Sequence, residues 1–267
     1  MGNPVSAATT DPSALLTVEQ TGAVLRVGLN RPAKRNALND GIMLAIQDCF
    51  SNIPDDVRAV VVHGVGAHFS AGLDLSELSE RDATAGLIHS QMWHRVFDRI
   101  QYSRVPVIAA LRGAVIGGGL ELACAAHIRV AEPSAYYALP EGSRGIFVGG
   151  GGSVRLPRLI GVARMADMML TGRVYSAAEG VPLGFSQYLT AEGGALDKAL
   201  ELAGQVANNA PLTNFAVLQA LPMIAEANPQ TGLLMESLMA TVAQSDEEAK
   251  KRIRAFLDHK TAKVRPT

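Results

Sequence analysis

Cysteine, aromatic side chains and net charge are all scarce in this chain. Only Cys49 and Cys124 occur in 267 residues, far apart and in no C-x-x-C pair. Neither a disulfide framework nor a thiolate metal site is expected, and the two thiols read as packed and reduced in a cytoplasmic setting. Lys and Arg number 24 against 25 Asp and Glu, a net charge of −1, which excludes the basic footprint of a nucleic-acid binder. The longest apolar region, VPVIAALRGAVIGGGLELACAA, is interrupted by Arg112, Glu121 and several glycines, so no membrane span is expected. The opening MGNPVSAATTDPS has no basic flank and no apolar h-region. Residues 1–13 therefore read as a disordered tail, and their match to the M-G-x-x-x-[ST] lipidation pattern is short and unspecific.

Hydrophobic residues make up 48% and charged residues 18%, enough apolar material for a substantial core. ALLTVEQ and AVLRVGLN, parted by Thr21-Gly22, predict a β-hairpin. Residues 39 to 53 place Ile42, Ile46, Cys49, Phe50 and Ile53 on one helical face, ahead of the buried strand VRAVVVHG. HFSAGLDL then reads as a loop, 85–101 as a helix, VPVIAAL as a strand, glycines 117–119 as a helix start, and HIRVAE as another strand. Ser176-Ala-Ala-Glu179 is a capping box, and GFSQYL is the last strand expected. This alternation predicts an α/β core with a mainly parallel sheet over 14–195. A helical region follows over 196–267, with helices beginning near 195, 211, 231 and 246.

The chemistry concentrates in three glycine-containing segments. HFSAGLDL, residues 68–75, follows a strand and lets the backbone approach a ligand closely. In IGGGLELA, successive glycines meet a helix N-terminus, so unpaired N–H groups and the positive end of the helix dipole converge. Two such loops can supply two backbone donors to one developing oxyanion; taken singly, each also reads as a tight turn. Glu121 lies inside the first turn of the same helix, where an ionised carboxylate in apolar surroundings is costly unless paired. ALPEGSRGIFVGGGGSVRLPRLIG adds Glu141, and two glutamates beside one apolar pocket can divide base and acid work. Alone, Glu141 reads as a loop glutamate. His63 and His68, like His89 and His94, are five apart and share no helical face, so no metal site is expected. Ser70 has no identifiable histidine partner for hydrolase chemistry. Met165, Met168 and Met169 read as core or subunit contacts, and Trp93 as packing or a tunnel wall.

FSAGLDL, RGAVIGGGLELACAAHIRVA, LPEGSRGI, GGGGSVRLPRLIG and TGRVYSAAEGVPLGF, in this order, resemble the enoyl-CoA hydratase/isomerase (crotonase) family, and LNRPAKRNALN fits its N-terminal segment. The likeness covers about residues 15 to 260. It implies a crotonase (ClpP-like) fold of stacked β-sheets built from ββα units, with a C-terminal helical region that forms a homotrimer or a dimer of trimers. It also implies an oxyanion hole from the N–H groups of Ala71 and Gly118, and two catalytic glutamates, Glu121 and Glu141, at the hydratase spacing.

The activity implied is hydration of a 2-trans-enoyl-CoA to a 3-hydroxyacyl-CoA, as in fatty acid β-oxidation, with CoA part of the substrate and no other cofactor. Ala33, Lys34, Arg35, Gly72, Leu73 and Asp74 are expected along the CoA path, Gly149 beside the water, and Lys260 or Lys263 near a phosphate. The alternatives are an isomerase, a hydroxycinnamoyl-CoA hydratase-lyase, or a catalytically silent acyl-CoA binder. The chain departs from the family at Val148-Gly149 before Gly150–Gly152, where many relatives have Pro-Gly. It departs again at Gly142 after Glu141, and at Asp258-His259-Lys260, where a more basic cluster is common.

Overall fold

The computed structural model describes residues 14–77 and 82–258, which divide into two units at Ala207/Asn208. In chain order the first unit contains β1 (Leu16–Thr21), β2 (Val24–Leu29), α1 (Asp40–Ser51), β3 (Ala59–Gly64), α2 (Ala83–Gln101), β4 (Val107–Leu111), β5 (Ala114–Ile116) and α3 (Gly118–Ala125). It continues through β6 (Ile128–Ala131), β7 (Tyr136–Ala138), α4 (Gly152–Ile160), α5 (Val162–Thr171), β8 (Tyr175–Ser176), α6 (Ala177–Leu183), β9 (Tyr188–Leu189) and α7 (Ala195–Ala207). The second unit holds α8 (Pro211–Phe215), a π-turn at Ala216–Ala220, α9 (Leu221–Glu226), α10 (Pro229–Ser245) and α11 (Glu247–Leu257). Among the described residues no helix is long and apolar enough to cross a membrane.

The predicted hairpin is present, with Thr21 opposite Val24, and it leads into an otherwise parallel sheet ordered β1-β2-β3-β4-β6-β9. The central strands are apolar on both faces, as buried parallel strands must be. Val60 and Val62 of β3 and Val107, Ala109 and Leu111 of β4 point into the main core. Their neighbours Ala59, Val61, Ile108 and Ala110 point the other way, against Ala195, Ala199, Leu202 and Ala203 of α7. That packing corrects the expected domain boundary at 195/196: α7 covers a sheet face, and the first unit runs to Ala207.

A second sheet, β5-β7-β8, was not expected from the residues alone. Its strands are two or three residues long, too short for a period of two to register. The expected caps are present: Asn39 accepts from Ile42 N, and Ser176 and Glu179 form the capping box. Both cysteines are free, and burial pushes each thiol up to about 11. Met165 and Met168 are core residues.

One buried amide fixes the approach to the glycine loops. Asn36 is fully buried at φ +53. Its Nδ2 donates to Val65 O and His68 O at 3.0 and 2.7 Å, while its Oδ1 accepts from Arg31 N. The Ser70 hydroxyl donates to Asn36 O at 2.8 Å, so this serine is a structural pin. Asn36→Ala strands those two carbonyls and places an alanine in the left-handed region. A loss of about 2–4 kcal/mol is expected, measured from the urea midpoint; a change below about 0.5 kcal/mol, the level of an ordinary surface substitution, refutes this role.

Candidate active site

Ser70 N and Ser70 O pair with Ala114 and Ile116 along the edge of β5, at 2.9 and 3.1 Å. This pairing brings SAGLD beside IGGG. Gly72, at φ +84, turns the chain so tightly that a Cβ there would lie 2.5 Å from Ile116 O. Trp93 packs on the other glycine run: a Cβ on Gly118 would lie 2.7 Å from its indole ring. Among the described residues no group accepts from the N–H of Gly118 or from that of Leu73. Both residues line one cavity of about 380 Å³, together with Glu121 and Glu141.

Ala71 is not in that position. Its N–H donates to Arg35 O at 2.9 Å, and it is not among the residues lining the cavity. The chain reversal at Gly72 turns the next N–H, that of Leu73, away from the 35–38 segment. Asp74, expected on the CoA path, is also corrected. It is 5% exposed, and its carboxylate is held by Arg31 Nη2 at 2.9 Å and by Ser76 Oγ and N at 2.6 and 3.1 Å. The Ser76 hydroxyl, then Arg31 and Lys34, hold the Asp74 carboxyl below its ordinary range against its burial. Asp74 thus ties the SAGLD loop to the turn at Pro32–Lys34, where Ala33, Lys34 and Arg35 are exposed. Lys260 and Lys263 lie outside the described residues.

The two glutamates are in different surroundings. Glu121 is 4% exposed, and its Oε1 accepts from Gly150 N at 2.9 Å and Gly152 N at 2.7 Å. Burial drives its carboxyl above the ordinary glutamate range, opposed by those two N–H groups and by the Arg155 charge. Glu141 is 7% exposed and its Oε2 has no hydrogen-bond partner among the described residues. Burial raises this carboxyl too, reinforced by the negative charge of Glu121 and opposed by its own backbone N–H and Arg144. Both acids are therefore poised to exchange protons closer to neutrality than a solvated glutamate.

The rest of the cavity wall is mainly apolar, formed by Leu73, Trp93, Ile146, Phe147 and Val148, with Gly149 beside them. Ser90 and His89 also reach the wall; Ser90 Oγ donates to Gly149 O at 2.7 Å, and His89 Nε2 meets Asp40 Oδ1 at 2.8 Å. Trp93 does both things allowed by the sequence: it is buried and it lines the cavity. Sequence reasoning missed Arg31, Ser90 and Arg155, whose partners are remote in sequence, and no local pattern marks them.

The sequence profile of the Enoyl-CoA hydratase/isomerase family matches residues 19–265. A 2,3-dehydroadipyl-CoA hydratase of Escherichia coli K12 is 34% identical over 250 residues, 92% of this chain and 96% of that protein. A short-chain-enoyl-CoA hydratase of Clostridium acetobutylicum is 32% identical, over 90% of this chain and 94% of its own. Among solved structures, a Rhodopseudomonas palustris CGA009 protein provisionally named enoyl-CoA hydratase is 82% identical, with a TM-score of 0.91 over 97% of this chain and 100% of that one. The cavity with its two buried acids thus sits in a chain that belongs to the enoyl-CoA hydratase/isomerase family and has the crotonase fold.

Proposed function

We propose that the protein hydrates a 2-trans-enoyl-CoA to the 3-hydroxyacyl-CoA. One observation carries this reading: two buried carboxylates and two uncommitted backbone N–H groups line one small cavity. The N–H groups of Leu73 and Gly118 bind the thioester oxygen and stabilise the enolate-like charge that develops there. Glu121 takes a proton from water as its oxygen bonds to C3, and the C2=C3 electron pair shifts toward the thioester. Glu141, which starts neutral, gives its proton to C2. Solvent exchange then returns each acid to its starting state.

Lys34 and Arg35 suit the nucleotide end of CoA, since both are exposed cations on the turn held by Asp74. Assembly as a homotrimer or dimer of trimers is supported by Leu233, Leu234 and Leu238, which α10 leaves exposed. A cytoplasmic location accords with two free, buried or half-buried thiols.

The test follows loss of the enoyl-thioester absorbance with crotonyl-CoA, longer enoyl-CoA and aryl enoyl-CoA. Turnover of at least one is expected; CoA binding without turnover of any of them points to a silent acyl-CoA binder. Glu121→Gln and Glu141→Gln are each expected to lower kcat by about 10²–10⁴ with little change in substrate binding. Full activity in Glu121→Gln overturns the two-acid mechanism.

The same burial has a consequence for stability. A carboxyl raised by folding contributes stability below the ordinary value of 4.5 and loses it as pH rises through its folded value. Glu141→Gln is therefore expected to gain on the parent protein as pH rises from about 4.5 into the neutral range. Urea unfolding across that range measures the gap, and a gap that stays constant contradicts the raised carboxyl.

A further inference from the structure

Behind the cavity wall, bonded to the carbonyl of the lining residue Gly150, lies a buried cation that plays no part in the steps above. Arg155, on the first turn of α4, is 8% exposed. Each part of its guanidinium is used: Nη1 donates to Gly150 O at 2.9 Å, Nη2 to Asp98 Oδ1 at 2.6 Å, and Nε to Gln101 Oε1 at 2.5 Å. Asp98 and Gln101 belong to α2, whose Phe97 presses on the same loop. The glycine run has no room for side chains there. A Cβ on Gly150 would lie 2.7 Å from Phe97, one on Gly151 2.3 Å from Arg155 Nη1, and one on Gly152 2.7 Å from Glu121 Cγ. The loop is thus gripped from three sides, and its free edge presents the N–H groups of Gly150 and Gly152 to Glu121 Oε1.

We infer that Arg155 is the positioning residue of this site: its planar fork ties the Gly150 carbonyl to α2 and so holds the two loop N–H groups on the Glu121 carboxylate. A buried ion pair adds little net stability over an apolar replacement, so fold stability alone is a weak reason for a cation here. A rigid fork with fixed geometry is what an ammonium cannot supply. Gly150 lies between the two contacts, with its carbonyl on Arg155 and its N–H on Glu121, so displacing the guanidinium moves the donor. The charge acts in the same direction as the geometry, favouring an ionised Glu121. The other ionisable groups facing this carboxylate are Glu141 from the following loop and Cys124 one turn along α3, and Asp98 sits on the far side of Arg155. The consequence for catalysis rests on the reading of Glu121 as the base.

The experiment combines a readout independent of turnover with one that depends on it. The Glu121 carboxyl is titrated by carbon-13 NMR in the full-length protein, its resonance assigned by its loss in Glu121→Gln, and kcat for crotonyl-CoA is measured against pH. Arg155→Met is expected to move the Glu121 midpoint upward by about one pH unit. It should shift the acid limb of kcat by the same amount and lower the plateau about 10-fold or more. Arg155→Lys keeps the cation and loses the fork: its midpoint stays within about half a unit of the parent, while kcat still falls.

Should Arg155→Met not fold, Gln101→Leu removes one anchor at a half-buried position without changing charge, and the same direction is expected with smaller size. A folded Arg155→Met with an unmoved Glu121 midpoint overturns the proposal, even if kcat falls. So does an Arg155→Lys variant with full parental activity. A midpoint that moves in a protein that hydrates no enoyl-CoA leaves the clamp standing and removes the hydratase reading instead.

Discussion

The burial of Glu121 is the constraint around which the rest of this site is arranged. A carboxylate taken out of water loses several kcal/mol of hydration that neighbouring groups must replace. Here the replacement is backbone, from Gly150 N and Gly152 N on one oxygen. Here a side chain would stand in the way: a Cβ on Gly152 would lie 2.7 Å from Glu121 Cγ, and one on Gly150 2.7 Å from Phe97. The glycine run ahead of α4 is thus a requirement of the acid, not an independent feature. The position of Glu121 in the first turn of α3 adds the favourable end of that helix's dipole.

One helix connects the parts. Along α2, successive turns present Ser90 to Gly149 O, Trp93 to the face of Gly118, Phe97 to Gly150, and Asp98 with Gln101 to Arg155. Contacts spaced by a helical turn, about 5.4 Å, thus set Gly118 and the loop that holds Glu121 at a fixed separation. A shift of α2 moves both sides of the cavity together, which preserves the distance between Gly118 and the Glu121 loop better than two separate supports would.

The elements most legible in the sequence were those with a long apolar period: the hairpin, β3, β4, α1 and α2. Glu121 was legible because a carboxylate in an apolar, glycine-rich helix start is chemically conspicuous, whereas Glu141 stood out only beside it and through the family resemblance. The small sheet was not, because two or three residues carry no period. Nor was which residue of SAGLD lines the cavity beside Gly118 with an uncommitted N–H. Ala71 and Leu73 differ in where their N–H points, and that depends on φ +84 at Gly72, a torsion no pattern of residue types reveals. Asp74 was expected along the CoA path from the family resemblance, yet Arg31, 43 residues away, claims its charge. Arg155 escaped notice for the same reason: its α2 partners lie 54 and 57 residues distant, and only the folded chain brings them together.

The two acids differ in a way that supports the division of labour between them. Donors that reach a carboxylate favour its ionised form, and burial without donors favours the neutral form. Glu121 has two backbone donors and a cation behind them, so its surroundings are prepared for a negative charge even though burial still raises its carboxyl. Among the described residues Glu141 Oε2 has no partner, and of the two charges acting on this carboxyl the same-sign charge of Glu121 has more effect than Arg144. Ionising either acid penalises ionising the other, so the two titrate as a pair. The loop donors and Arg155 favour the ionised form at Glu121 over that at Glu141. No such donors oppose the burial of Glu141, so under the proposed hydration Glu141 is the better placed of the two to supply a proton.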